Sequence, residues 1–143
     1  MIVTDHSPCP PEMKGTEVGR FDMAWGGIAG LSVALPVIYS ECVKRGFGLD
    51  EIARWMSTAP AALAGISAKA GAFAAGREAS FIVFDTEANF TVTPEKLYFR
   101  HAISPYVGEE LQGVVRGTYL RGHSIYRDGG FASSPMGREV RLF

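Results

Sequence analysis

Cysteine is scarce in this sequence of 143 residues: Cys9 and Cys42 are the whole complement. Two thiols make no disulfide framework, and reduced thiols in a cytoplasmic protein are the expectation. A charge excess is missing too. Fourteen Lys and Arg stand against fifteen Asp and Glu, for a net charge of -1, so neither nucleic acid nor an anionic membrane finds a basic footprint here. No apolar run approaches the roughly 20 residues of a transmembrane helix. The chain does not open with a basic segment followed by an apolar one, so no secretory leader is expected. Histidine is limited to His6, His101 and His123, with no H-x-H pair. Length excludes a complete (β/α)8 barrel, which needs roughly 250 residues, although a domain near 150 residues buries about 68–70% of its unfolded surface. No internal repeat is visible.

What is present is concentrated at the start. Ile2, Val3 and Thr4 are β-formers, followed by Asp5, His6, Ser7 and Pro8. That order predicts a short buried strand delivering an acid and an imidazole to the loop at its carboxyl end. In α/β barrels, catalytic groups collect at that end of the strands. On spacing alone, an Asp there is more often an ordinary turn residue.

The wording of the whole segment narrows the choice. Asp5-His6-Ser7-Pro8-Cys9-Pro10-Pro11-Glu12-Met13-Lys14, followed by Phe21-Asp22-Met23-Ala24-Trp25-Gly26-Gly27-Ile28-Ala29-Gly30-Leu31, resembles the end of the barrel in allantoinases. These are cyclic amidohydrolases, grouped with dihydroorotases and hydantoinases. The D-H-[SA]-P part is shared across that group, whereas S-P-C and A-W-G-G-I-A-G-L point to the allantoinase branch. The resemblance runs to about residue 130 and corresponds to roughly the last third of such an enzyme. The earlier strands are absent, and Met1 reads as an artificial start.

Along the chain, residues 6–24 read as a loop in which Pro8, Pro10 and Pro11 forbid helix. A loop this long is functional or disordered, and Phe21 and Trp25 argue that it folds back onto the body. The resemblance makes it a wall of the substrate pocket. Cys9 either lines that pocket or is an inert buried thiol. Gly26-Gly27-Ile28-Ala29-Gly30 leads into a helix, where backbone N–H groups can approach an acceptor closely, or where the helix start packs tightly on a strand. The resemblance turns these groups toward the ring amides of the substrate and adds Ser7, Gly26 and Gly27 as substrate-binding residues.

Leu31, Leu35, Ile38, Cys42 and Val43 recur at helical spacing, with a kink or break expected at Pro36. Lys44, Arg45 and Gly46 close the helix. Another starts after Gly48, carries Asp50 and Glu51 in its first turn and buries Ile52, Trp55 and Met56. Ser57-Thr58-Ala59-Pro60 is expected to stop it and begin a short third helix. Glycines and alanines over residues 65–79 mark a domain boundary. Ser80-Phe81-Ile82-Val83-Phe84-Asp85 then reads as a strand without a polar face, buried on both faces or in a sandwich. Its G-x-x-A-x-h-h-h-h-D wording resembles the small β-sandwich beside amidohydrolase barrels, with Ser80 where that motif usually carries an acid. Asp85 reads as a turn residue, residues 90–93 as a short strand, and residues 94–97 as a turn or 3₁₀ segment. His101 reads as a packing or surface residue. Residues 114–121 and 124–127 read as two strands joined around Gly122-His123, after which Asp128-Gly129-Gly130 turns the chain away. The expected fold class is α/β: the last strand and helices of a (β/α)8 barrel with a substrate loop (1–65), part of a β-sandwich (66–132) and a loose tail (133–143).

The resemblance implies a chemistry. Hydrolysing a cyclic amide near neutral pH calls for a strong nucleophile, and a bound divalent ion supplies one by lowering the pKa of water to about 7. The family centre holds two zinc ions through an H-x-H pair, two further histidines, a carbamylated lysine and one aspartate of the final strand. Asp5 matches that aspartate, as metal ligand and as the catalytic group that takes the proton from the attacking hydroxide and passes it to the leaving nitrogen. The other ligands are not in this sequence, so the chain by itself is expected to be inactive. The complete enzyme would act on a small cyclic ureide as a homo-oligomer, a tetramer. Two readings compete: a dihydropyrimidinase, hydantoinase or dihydroorotase activity, or a non-catalytic oligomerisation module built on the sandwich. An isolated last strand–helix unit also exposes strand edges and helix faces, so poor solubility or self-association is expected.

Overall fold

Helices occupy the first half of the chain and strands the second, as the change from 3.6-residue to 2-residue apolar periodicity requires. A computed structural model describes residues 1–140. Helix α1 spans Ala34–Lys44, preceded directly by a 3₁₀ turn at Leu31–Val33. No break falls at Pro36. It lies in the first turn of α1, where a backbone N–H would have no intrahelical partner. The helix closes as expected: Gly46 N–H donates to the Val43 carbonyl and Phe47 N–H to that of Cys42, the paired bonds of a Schellman motif.

Helices α2 (Leu49–Ala53) and α3 (Ala59–Leu63) are joined by a π turn at Arg54–Thr58. The Glu51 carboxylate accepts the Gly48 N–H at 3.0 Å, tying down the start of α2. Helix α3 is the short third helix expected, but no break separates it from α2 ahead of Pro60, which lies in its first turn. The widened turn ahead of it accommodates a residue that lacks an N–H and crowds the carbonyl four residues back. Residues 65–80, which include the expected boundary, hold only turns and bends.

Two further expectations fail near the N-terminus. Residues 1–10 contain no strand: a ladder needs a neighbour, and Ile2 N–H instead donates to the Trp55 carbonyl at 2.8 Å. Pro11–Lys14 forms a 3₁₀ turn, because a proline at the first helical position gives up an N–H that would be unused.

The sheet has four antiparallel strands in the order β1 (Phe81–Thr91), β2 (Glu110–Leu120), β3 (His123–Arg127), β4 (Gly130–Phe131). β1 is one long strand, where a shorter strand and a separate one at residues 90–93 were expected. Pairing with β2 carries it through two irregularities, at Val83/Phe84 and Asp85/Asn89. It is also not buried on both faces, since Ile82 and Val83 are 48% and 46% exposed. His123 belongs to β3 and not to the turn, and Gly130 starts β4 instead of leading away. Residues 132–140 hold no helix or strand. The rest of the expected tail, residues 141–143, lies outside the described residues.

Helix and sheet share their core. Val33 of the 3₁₀ turn packs with Val92, Leu97 and Leu111, and Tyr39 and Cys42 pack with Ile52. Val33, Val92 and Leu97 are each no more than 1% exposed, and burying a side chain of this size stabilises by about 1.5–3 kcal/mol, an upper figure for compact unfolded chains. Phe84 of β1 meets Tyr39 edge-to-face at 5.1 Å. Gly113 of β2 lets them meet: a Cβ there would stand 2.1 Å from the Phe84 ring and 2.9 Å from that of Tyr39. This joint fixes α1, and with it the segment that precedes α1.

Candidate active site

The segment that carries Asp5 is held by its neighbours, not by a sheet. Ser7 N–H donates to the Ile28 carbonyl at 2.9 Å. His6 Nδ1 accepts the N–H groups of Gly30 and Leu31, both at 3.3 Å, and its ring lies 5.0 Å from that of Phe99. Between these anchors and Ile2, Asp5 adopts φ +42° and is exposed. A left-handed conformation is uncommon outside glycine, though Asp and Asn tolerate it best, and such strain gathers at functional sites.

The loop after it is braced. Lys14 Nζ donates to the carbonyls of Trp25 (2.8 Å) and Gly27 (2.6 Å), and Trp25 N–H returns to the Met13 carbonyl at 2.8 Å. The Trp25 indole N–H reaches Ser7 Oγ at 3.4 Å. Ser104, in the connection between β1 and β2, donates its hydroxyl to the Ala29 carbonyl at 2.5 Å. Ser7 and Gly27 are thus brought together, while a Cβ at Gly26 would meet nothing within 4 Å. The glycine run leads into the helical turns as expected, with Gly30 as the cap residue of the 3₁₀ turn that begins at Leu31. Cys9 is buried, free and 3% exposed. An apolar hollow of about 160 Å³ lies along this segment, lined by Ile2, Val3, Thr4, Ile28 and Tyr106 among others. A larger one of about 370 Å³, lined in part by Lys96, Tyr98, Arg116 and Tyr126, contains none of the candidate residues.

Sequence reasoning passed over His6 as a structural element, and missed Lys14 and Ser104 altogether. Ser104 acts across 75 residues, a separation at which no local pattern signals contact. Asp85, the other strand-borne acid, does behave as a turn residue: its Oδ1 accepts the N–H groups of Glu87 and Ala88. It also pairs with Arg116 at 2.9 Å, and that guanidinium, with the two backbone donors, holds its carboxyl below the usual carboxylate range.

Asp5 supplies one carboxylate oxygen donor set and no more. Among the described residues, no three His, Cys, Asp or Glu side chains gather where they could hold a metal ion, and His6 Nδ1 is already engaged by two amides. A metal centre takes several ligands, so residues 1–140 do not by themselves fit one.

The described residues form a mixed α/β unit, with an acid on a left-handed turn followed by helices and a four-stranded antiparallel sheet. Residues 1–125 match the family model described as the Amidohydrolase family. The chain is 44% identical over 137 residues to allantoinase of Streptomyces avermitilis, covering 96% of this chain and 30% of that protein. It is 40% identical over 141 residues to the allantoinase of Escherichia coli K12, covering 97% and 30%. Among solved structures it is similar to a D-hydantoinase (dihydropyrimidinase) from Thermus sp., with a TM-score of 0.80 at 25% identity, over 91% of this chain and 29% of that one. An L-hydantoinase from Arthrobacter aurescens gives a TM-score of 0.80 at 26% identity, over 90% and 29%. The chain belongs to the amidohydrolase family. It spans about 30% of the length of these allantoinases.

Proposed function

We propose that this chain is the portion of an allantoinase that carries the catalytic aspartate, and that the complete enzyme opens the ring amide of allantoin to give allantoate in ureide catabolism. The observation that carries the reading is the 44% identity to an allantoinase across 96% of the chain, joined to the strained, exposed Asp5. Residues 1–65 would be the last barrel strand, substrate loop and helices, and residues 66–132 part of the sandwich.

In this reading water adds across the ring C–N bond. The new C–O bond forms at the carbonyl carbon as Asp5 takes a proton from the attacking water, and the C–N bond then breaks as Asp5 delivers that proton to the leaving nitrogen. General acid–base transfer of this kind contributes about 10²–10⁴-fold. Ser7 and the backbone at Gly26 and Gly27 orient the ring amides. Asp5 would be one ligand of a divalent metal centre, zinc with two ions per site, whose remaining ligands would come from outside these residues. The complete enzyme is cytoplasmic and a homo-oligomer, a tetramer; among the described residues no helix is long and apolar enough to cross a membrane.

The hydantoinase-like fold favours a second reading, hydrolysis of a hydantoin or dihydropyrimidine, but its identity of 25–26% lies well below that to the allantoinases. A chimera decides between them. This chain replaces the matching segment of Streptomyces avermitilis allantoinase, and rates with zinc are compared on allantoin, hydantoin and dihydrouracil. Hydrolysis of allantoin, lost on Asp5→Asn, supports the proposal. Preference for another ring favours the second reading, and full activity of Asp5→Asn leaves only a non-catalytic module.

A further inference from the structure

His6 stands next to Asp5 yet has no part in the reaction just described. Its ring faces inward, with Nδ1 accepting the N–H groups of Gly30 and Leu31 and the ring packed near Phe99. The first N–H groups of a helical run have no carbonyl partner within it, and neither Gly30 nor Val33 provides a side-chain cap for the 3₁₀ turn or for α1. An imidazole from 24 residues earlier fills that role. The next residue, Ser7, is fastened to Ile28 through its own N–H. Both residues that follow Asp5 are therefore pinned to residues 28–31, and α1, which follows, is pinned to the sheet through Tyr39 and Phe84. A non-glycine residue keeps a left-handed backbone only where its surroundings over-determine it. The two bonds to His6 are such a constraint.

We propose that His6 is a positioning residue: by accepting two amides at the start of the helical run through Nδ1, it fixes the left-handed turn that aims the Asp5 carboxylate. The inference deepens the reading of Asp5 as the proton-transfer group and rests on it for its catalytic consequence. An Nδ1 that accepts carries no hydrogen, so the ring proton resides on Nε2. The geometry asks for an acceptor at the Nδ1 position, not for a ring.

The test compares His6→Asn, His6→Gln and His6→Ala. An Asn amide oxygen falls close to the place of Nδ1, whereas that of Gln reaches further out, toward Nε2. In the chain itself, the three-bond HN–Hα coupling of Asp5 reports its φ, and hydrogen exchange reports the Gly30 and Leu31 amides. Wild type and His6→Asn are expected to keep the Asp5 coupling and the protected amides. His6→Ala and His6→Gln are expected to shift the coupling and to exchange about tenfold faster, the effect of losing one ordinary hydrogen bond. In the chimera, kcat on allantoin should fall by up to about 10²-fold in His6→Ala and His6→Gln, as for a misplaced catalytic group, with KM little changed and kcat restored in His6→Asn. Unchanged coupling and exchange in His6→Ala overturn the clamp. Altered coupling with unchanged kcat overturns the positioning role. An inactive wild-type chimera defeats the proposed function instead, and the coupling and exchange measurements still decide whether His6 sets the turn.

Discussion

A methyl group added at Gly27 would stand 2.5 Å from Ser7 Cβ and 2.9 Å from its Oγ. The two chain segments that wall the candidate site, twenty residues apart in sequence, touch at this point. Gly27 also holds φ +73°, so two independent constraints demand glycine there. Its neighbour Gly26 is under neither.

Gly27→Ala should therefore loosen the loop from the Asp5 segment. The left-handed conformation alone costs an L-residue about 1–2 kcal/mol, and the clash with Ser7 adds to it. Gly26→Ala, with open space around the new methyl, should stay within about 0.5 kcal/mol of wild type. Urea denaturation of the two variants checks the difference, and equal midpoints would remove Ser7–Gly27 contact as the reason for the second glycine.

Ser40 joins helix to sheet. Its Oγ accepts the Gln112 N–H at 2.9 Å and donates to the Pro36 carbonyl at 2.8 Å, while the residue is 7% exposed. Ser40→Ala leaves that sheet amide without a partner at a largely buried position, a loss of about 1–3 kcal/mol. The same denaturation experiment reads it, and in the chimera the activity should fall less than the stability, because Asp5 is held by residues 28–31 and not by Ser40.

How much of this was legible depends on whether a feature is local. The end of α1 at Lys44–Gly46, the start of α2 after Gly48 and the Asp85 turn follow from caps and side-chain acceptors within a few residues, and each was readable. The segment Ile2-Val3-Thr4 has the composition of a strand but forms none, because no strand lies beside it to complete the ladder. Pro60 opens a third helix, as its position suggests, but the π turn that joins this helix to α2 without a break has no local signal. The continuation of β1 from Phe81 to Thr91 is decided by β2, some thirty residues on. At the candidate site, Asp5, Ser7, Gly26 and Gly27 could be named from the family wording, but that Gly27 and not Gly26 meets Ser7 and that His6 caps residues 30 and 31 are facts of long-range packing.

Acid should unfold the chain partly through Asp85. Its folded-state carboxyl titrates below the ordinary value, first through the hydrogen bond from Arg116 and then through the Glu87 and Ala88 amides. A depressed carboxylate contributes stability that is fully present above its unfolded pKa, about 3.9, and is lost as pH falls through the lower folded value. Asp85→Asn keeps an oxygen acceptor for the turn and removes the charge, so its denaturation midpoint should fall less steeply below about pH 4. The pair is exposed enough for salt to weaken it. A parallel pH dependence in wild type and variant would assign the acid sensitivity elsewhere.

The choice of substitution at Asp5 decides whether a loss of activity can be read as chemistry. Asp5→Ala would place a residue with no local acceptor at φ +42°, adding backbone strain to the loss of the carboxylate. Asn tolerates the left-handed region nearly as Asp does and keeps the size of the side chain while removing its basicity. Because Asp5 is exposed, Asp5→Asn should leave the denaturation midpoint within about 0.5 kcal/mol of wild type. In the chimera it should lower kcat on allantoin by about 10²–10⁴-fold, the range of a lost general acid–base group. Asp5→Glu, which restores a carboxylate one methylene further out, should recover only part of the rate, because transfer to the leaving nitrogen depends on placement as well as on basicity. If Asp5→Glu were fully active, the strained turn would have no bearing on catalysis, and the case for positioning by His6 would fall while the role of the carboxylate, tested by Asp5→Asn, would stand.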